Sequence, residues 1–209
     1  VASAVVGLDF GVATTIMPSN ETLAPIELPA RIGRYERRMK RLQQAVSRRK
    51  RGSANRKKAV ARLNVCHGRI AAMRRDFLHQ CTTDLVRSHS LIAIEDLAVK
   101  SMTASAAGTA ESPGRNVKAK AGLNRTILRN GWSMARSMLE YKAAWSGVML
   151  VAVPPAYTSQ ACSACGHTAA ENRKAQAVFE CVTCGHSENA DRNAAKNILA
   201  KAQLMLGSA

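Results

Sequence analysis

Four cysteines near the C-terminal end are spaced C-x2-C-x15-C-x2-C, at Cys162, Cys165, Cys181 and Cys184. Two such pairs supply four sulfur donors, the number a Zn²⁺ ion takes in a closed tetrahedral site. With every position filled by protein, the ion would hold structure and carry no substrate. Gly166 and Gly185 follow the second cysteine of each pair, where a tight knuckle turn wants a small residue. His167 and His186 come next, and with four sulfurs at hand they read as neighbours of the site, not ligands. Cys66 and Cys81 fall in helical patterns and read as small core residues. In a reducing compartment this spacing means metal binding, not disulfides.

Three acids stand in unusual company. Asp9 lies inside the apolar run "VVGLDFG", Glu95 ends "LIAIE", and Asp191 opens the final helical pattern only seven residues after Cys184. A carboxylate among apolar residues is costly to bury unless a cation pairs with it. Hard Mg²⁺ ions take carboxylate oxygens and keep several waters. Two of them, about 4 Å apart, stabilise the attacking and the leaving oxygen when a phosphodiester is hydrolysed. The three acids are therefore candidate Mg²⁺ ligands.

The charge balance supplies the phosphodiester. Lys and Arg number 31 against 14 acids, for a net charge of +17 and a pI near 10.4. Such an excess points to a polyanion, most often nucleic acid, with an acidic membrane surface as the rival. Seventeen of the basic residues lie between Arg31 and Arg75, opposed there only by Glu36. A solvated helix face ordinarily mixes both signs. Arg48, Arg49, Lys50, Arg51, Arg56, Lys57 and Lys58 are the candidate nucleic-acid contacts. No apolar run is long enough to span a bilayer. The opening residues lack the basic start of a signal peptide, so a soluble, cytoplasmic protein is expected.

The elements that must position these residues follow from periodicity. "AVVGLDFGVATTIM" reads as a buried strand with Asp9, Gly7 and Val5 on one face. "TLAPIEL" reads as a second or third strand, on an edge because of Pro25. Residues 31–87 turn helical, and "KRGSANRKK" divides them into an antiparallel hairpin. "SLIAIEDL" reads as a central strand and "VMLVAVPP" as another buried strand, 101–122 as an irregular mobile loop, and 124–147 as one helix ending at Gly147. The order makes an α/β fold.

The segments "VVGLDFGVATT", "VSRRKRGSANRKKAVARL", "LIAIEDLAVKSM", "GWSMARSMLEYKAAWSG", "PPAYTSQACSACG" and "FECVTCGHSENADRNAAKNIL" resemble, in order and spacing, the transposon-encoded TnpB proteins. These are RNA-guided DNA nucleases related to the type V CRISPR effectors. The resemblance implies a RuvC-like nuclease domain of RNase H fold, in pieces at 1–30, 91–158 and 189–209. A basic helical hairpin at 31–90 and a zinc ribbon at 159–188 would be inserted in it. It implies Asp9, Glu95 and Asp191 as catalytic acids, the four cysteines as zinc ligands, Mg²⁺ as catalytic metal, and guide RNA and target DNA as partners in the prokaryotic cytoplasm, associated with the nucleoid. TnpB proteins also carry an N-terminal portion that grips the guide RNA. This chain starts at the first nuclease strand and so reads as a fragment or a shortened reading frame. Two other readings stay open: a non-cleaving nucleic-acid-binding remnant or regulator, and a stand-alone RuvC-type junction or RNase H enzyme.

Overall fold

The structure, a computed structural model, describes residues 4–207. Its elements are, in order, β1 (Val5–Asp9), β2 (Met17–Pro18), α1 (Ala30–Ser47), α2 (Ala54–Ser88), β3 (Leu91–Glu95), α3 (Val99–Met102), α4 (Val117–Asn130), α5 (Trp132–Ser146), β4 (Met149–Val153), a 3-10 turn (Ala170–Asn172), β5 (Val178–Glu180), β6 (Ser187–Asn189) and α6 (Ala190–Gly207). Leu28–Cys81 forms one compact unit and the other described residues form a second.

In the second unit, β1, β3 and β4 are parallel and β2 runs antiparallel on the outer side of β1, giving the order β2-β1-β3-β4. The register sets Gly7 beside Ala93 and Ala93 beside Val151. These residues share one sheet face, and α6 lies across it: Ala93 and Val153 pack with Ile198 and Ala202, with Val151 and Leu199 against them. The approach is close because the facing residues are small. A Cβ on Gly7 would stand 2.1 Å from the Ala195 carbonyl oxygen and 2.9 Å from Leu199 Cβ. Val6, Leu8, Ile92 and Ile94, on the opposite face, are also fully buried, so the sheet is covered on both sides. The helix α5 packs on β4 and buries Trp132, Ala135, Met138, Leu139 and Ala143 along one stripe. The second sheet is the small β5-β6 hairpin.

In the first unit, α1 and α2 run antiparallel. The Cys66 thiol donates to the Tyr35 carbonyl at 3.5 Å, and further along Arg31 and Asp76 approach to 4.0 Å. The turn between them contains Gly52 at φ +82°, and Ser53 caps α2 by accepting the Arg56 N–H at 3.2 Å. Among the described residues no helix is long and apolar enough to cross a membrane.

Four local expectations change. "TLAPIEL" forms no strand: it contributes only the bridge between Ile16 and Ile26, because Pro25 lacks the N–H that a ladder needs there. The first strand ends at Asp9, and the chain turns back to pair again at Met17. The expected helix over 124–147 is two helices, since Gly131 at φ +73° ends α4 and starts α5. The expected loop at 101–122 is shortened from both ends, by α3 and by the start of α4 at Val117. Gly147 ends α5 at φ +66°, as the sequence suggests.

The approach of Gly7 to α6 is backbone against backbone and cannot relax by turning a side chain. Gly7→Ala is expected to destabilise the protein by about 3 kcal/mol or more, read as a lower urea midpoint. A midpoint equal to that of the parent would show that α6 does not pack on β1 this closely.

Candidate active site

Parallel strands bring their carboxyl ends to one edge of a sheet, where a cleft can form. Asp9 ends β1, and Glu95 ends the neighbouring β3, with Leu8 and Ile94 paired just before them. Both acids point to the face that α6 covers. Asp191 lies in the first turn of α6, whose N-terminus opens towards the same edge. Asn189 holds that terminus: its side-chain oxygen accepts the N–H groups of Asp191 at 3.0 Å and Arg192 at 3.2 Å. Asp9, Glu95 and Asp191 thus line one cleft of about 280 Å³, together with Thr158, Arg173 and Gln176.

The electrostatics are those of crowded, desolvated acids. Burial pushes the Asp9 carboxyl up to about 8; the charges of Glu95 and Asp191 add to the rise and Arg173 opposes it. Burial also raises Glu95, against a hydrogen bond from Thr158 and the charge of Lys201. Asp191 is raised by burial and eased by Arg173, whose guanidinium lies 3.6 Å from it. Three acids with only the charges of Arg173 and Lys201 to offset them are under-neutralised. Hard divalent ions fit this oxygen-only donor set.

Two cleft residues escape the sequence pattern. Arg173 sits in "ENRKAQAVF", which carries no visible chemical signal. Thr158 is buried and donates its hydroxyl to Glu95 and, at 3.0 Å, to the Pro155 carbonyl. Asn197 of α6 fixes the same segment by donating to the Thr158 carbonyl at 2.9 Å and to the Ala161 carbonyl at 2.7 Å. Tyr157, just before, is held at φ +63°, a strained value for a residue with a side chain. Asp96 turns away from the cleft and pairs with Arg136 at 2.6 Å.

The four cysteines gather with their sulfurs all within 4.8 Å of one another. A tetrahedron with Zn–S bonds of about 2.3 Å has sulfur edges of about 3.8 Å. The Cys162–Cys184 and Cys165–Cys181 separations are 3.7 and 3.6 Å, which suits a tetrahedral zinc ion and is far too long for a disulfide. The two knuckles repeat one pattern. Cys162 N–H donates to the His167 carbonyl and Gly166 N–H to the Cys162 carbonyl; Cys181 with His186, and Gly185 with Cys181, do the same. Gly166 and Gly185 take φ of +77° and +72°. The N–H groups of Cys184 and Thr183 point at the Cys181 sulfur and hold its thiol down at about 6. The histidines offer no ring atom to this cluster; His186 instead bonds Glu188 at 2.8 Å. Buried Asn172 ties the knuckles together, donating to the carbonyls of Gln160 and His167 and accepting the Val182 N–H.

The seven candidate cations lie at the turn of the hairpin, Arg48–Arg51 between the helices and Arg56–Lys58 in the first turn of α2. All but Arg56 are exposed, and no ion pair engages any of them among the described residues. Positive charge in the first turn of a helix opposes its dipole, so Arg56–Lys58 would be stabilised by an outside anion.

Two outcomes follow. Between about pH 4 and 8, folded Asp9 keeps a proton that the unfolded chain has released, so stability falls as pH rises through that window and levels off above it. The metal-free melting temperature should therefore drop from pH 5 to pH 8, Asp9→Asn should remove most of the drop, and a flat wild-type profile would rule out uncompensated acids. Cys181→Ser should lower bound zinc from about one ion per chain, with faster hydrogen exchange up to Asp191; elemental analysis finding no zinc in unchelated wild-type protein would exclude the site.

The family OrfB_IS605, described as a probable transposase, matches residues 2–106, and the Cas12f1-like TNB domain matches residues 132–198. A protein of Escherichia coli (strain K12) named as an RNA-guided DNA endonuclease, InsQ, is 46% identical over 205 residues, covering 98% of this chain and 50% of that protein. One of Streptomyces pristinaespiralis, named in the same way, is 37% identical over 199 residues, or 95% of this chain and 45% of its own. A chain in a solved Cas12f1–sgRNA–target DNA complex has a similar fold, with a TM-score of 0.61 at 19% identity over 93% of this chain and 49% of that one. The chain thus spans about half the length of the relatives it matches. With the first match taking in half of its residues, and the motifs that resemble TnpB in place, the chain belongs to the OrfB_IS605 transposase family, that of the TnpB proteins.

Proposed function

We propose that the sheet with α6 is a RuvC-like nuclease domain of RNase H type, and that it cleaves DNA under the direction of a guide RNA in the complete protein. The observation that carries this reading is the meeting of Asp9, Glu95 and Asp191, from three distant parts of the chain, in one cleft where each carboxyl is raised. Acids so placed are a standing cost unless cations occupy the cleft, and the basic surface of the hairpin accounts for the phosphodiester that would enter it.

In this reading Asp9, Glu95 and Asp191 would hold two Mg²⁺ ions, with Asp9 serving both and Glu95 and Asp191 one each. Bound there, the ions supply Lewis acidity and neutralise charge on the phosphate. Thr158 fixes the Glu95 carboxylate, and Asn189 fixes the turn that carries Asp191. Arg173 is placed to pair with a non-bridging phosphate oxygen once Asp191 is engaged elsewhere. Water attacks the phosphorus in line with the departing 3′ oxygen, leaving 5′-phosphate and 3′-hydroxyl ends. The hairpin at 31–90 and the ribbon at 159–188 are insertions. The hairpin touches nucleic acid through Arg48, Arg49, Lys50, Arg51, Arg56, Lys57 and Lys58, and the ribbon, with a structural Zn²⁺, braces the path to Asp191. Guide RNA and target DNA are the partners.

The test is plasmid cleavage with Mg²⁺ and guide RNA, by this chain joined to the remaining half of its InsQ relative. Asp9→Ala, Glu95→Ala and Asp191→Ala should each abolish cutting while leaving nucleic-acid binding intact. Because the acids act as a unit, double variants should be scarcely worse than single ones. Asp96→Ala should keep most of the activity, since Asp96 faces Arg136 outside the cleft. Wild-type cutting by all three single variants would remove the nuclease reading.

A further inference from the structure

Within the hairpin, a groove of about 240 Å³ opens between the helices. Tyr35 and Arg38 of α1 line it, with Arg62, Val65, Cys66 and Arg69 of α2. The α2 residues follow helical spacing, so they form one stripe. Cys66 is the floor: it is buried, and its thiol reaches the Tyr35 carbonyl. Beside it Val65 stands 58% exposed, an apolar side chain left open to water in the middle of a helix. The three arginines are exposed and make no ion pair among the described residues. The sequence shows why, since no Asp or Glu occurs from Arg37 to Arg75.

Three guanidinium groups around one groove repel each other, and an anion between them relieves that repulsion. A phosphate alone would answer the arginines but leave the apolar shelf of Val65 and Tyr35 wet. An apolar plane joined to a phosphate answers both. A nucleotide has that chemistry, provided its base is free. In a duplex the bases are stacked inside and the outer surface offers phosphates, whereas an unpaired base stacks readily on side chains and on arginine planes. We infer that this groove seats one unpaired nucleotide of a nucleic-acid strand, its base against Val65 and Tyr35 and its phosphate among Arg38, Arg62 and Arg69. The groove is separate from the cations at the hairpin turn, as Val65 lies about 12 Å along α2 from Lys57. The inference rests on the nucleic-acid reading of the hairpin but is not contained in it, because the turn could bind a duplex backbone without any base leaving its stack.

Val65→Asn tests it, since the residue is exposed and circular dichroism can check that the helix content is kept. Affinity is measured by fluorescence anisotropy for a short single-stranded RNA, the DNA of the same sequence, and the matching DNA duplex. The variant should bind single strands about tenfold more weakly, with the slope of log affinity against log salt unchanged and duplex affinity within about twofold of wild type. A loss on only one single-stranded arm identifies RNA or DNA as the occupant; a loss on both means that base and phosphate are read without the sugar. Unchanged affinity on both single-stranded arms, or an equal loss for the duplex, overturns the inference. The broader reading is judged apart from this. Neutralising Arg48, Arg49, Lys50, Arg51, Arg56, Lys57 and Lys58 together should weaken all three probes and flatten the salt slope by several units, at about 0.9 for each duplex phosphate that the protein no longer neutralises. If it does not, the turn is not the binding face; if no probe binds the wild type, both readings fall.

Discussion

The close approach of α6 to β1 and β3 is the constraint on which the site depends. Asp191 is nearly at the far end of the chain from Asp9, and only the packing of α6 brings them together. That packing requires the near absence of side chains at Gly7 and Ala93, where the helix backbone comes down on the sheet. The hydrophobic gain from Ile198, roughly 2 kcal/mol for a fully buried side chain, and from its neighbours then draws the helix in. The direction of α6 completes the effect, because its N-terminus, with its partial positive charge, opens at the edge where the acids stand.

The ribbon makes that placement rigid. Its first knuckle is gripped from α6, by Asn193 through the Ala161 carbonyl and Ser163 N–H, and by Asn197 through the Thr158 and Ala161 carbonyls. Its second knuckle leads through β6 directly into α6. Phe179 and Ala190 pack with Cys162 and Cys181 beneath the sulfurs. The sulfur cluster, Thr158 with Glu95, and Asn189 with Asp191 are therefore parts of one hydrogen-bonded body. A metal at the cysteines would be coupled to the geometry at the carboxylates through covalent chain and buried amides, not through long-range charge.

Charge is divided along the chain in a way that serves one chemistry. Negative groups that repel one another are held in a cleft by packing, and positive groups that repel one another are held along a two-helix hairpin. Each arrangement stores repulsion that a ligand of opposite sign would relieve: in the proposed function, divalent cations in the first case and phosphates in the second. Only a few buried side chains hold the hairpin together, chiefly Ile32, Ala59, Cys66 and Leu78. A bound polyanion would add to the stability of this unit by linkage.

What depends on neighbours along the chain is legible in the residues alone. Cysteine spacing marks the knuckles because two residues between donors suit a single tight turn. The alternation around Asp9 and the apolar run before Glu95 mark strands because side chains on a strand change face at every residue. The one-signed run from Arg31 to Arg75 marks the hairpin surface. Misreadings arose where one residue overrules the pattern: Pro25 withholds an N–H from a strand that otherwise alternates well, and Gly131 takes a left-handed turn inside a helical period. Which distant groups meet depends on packing. Nothing local in "ENRKAQAVF" announces that Arg173 reaches Asp191, and nothing in "PPAYTSQ" announces that Thr158 holds Glu95. Periodicity reports which face of an element is buried, whereas the partner across the gap is chosen by how closely helix and sheet can approach, and Gly7 and Ala93 set that distance.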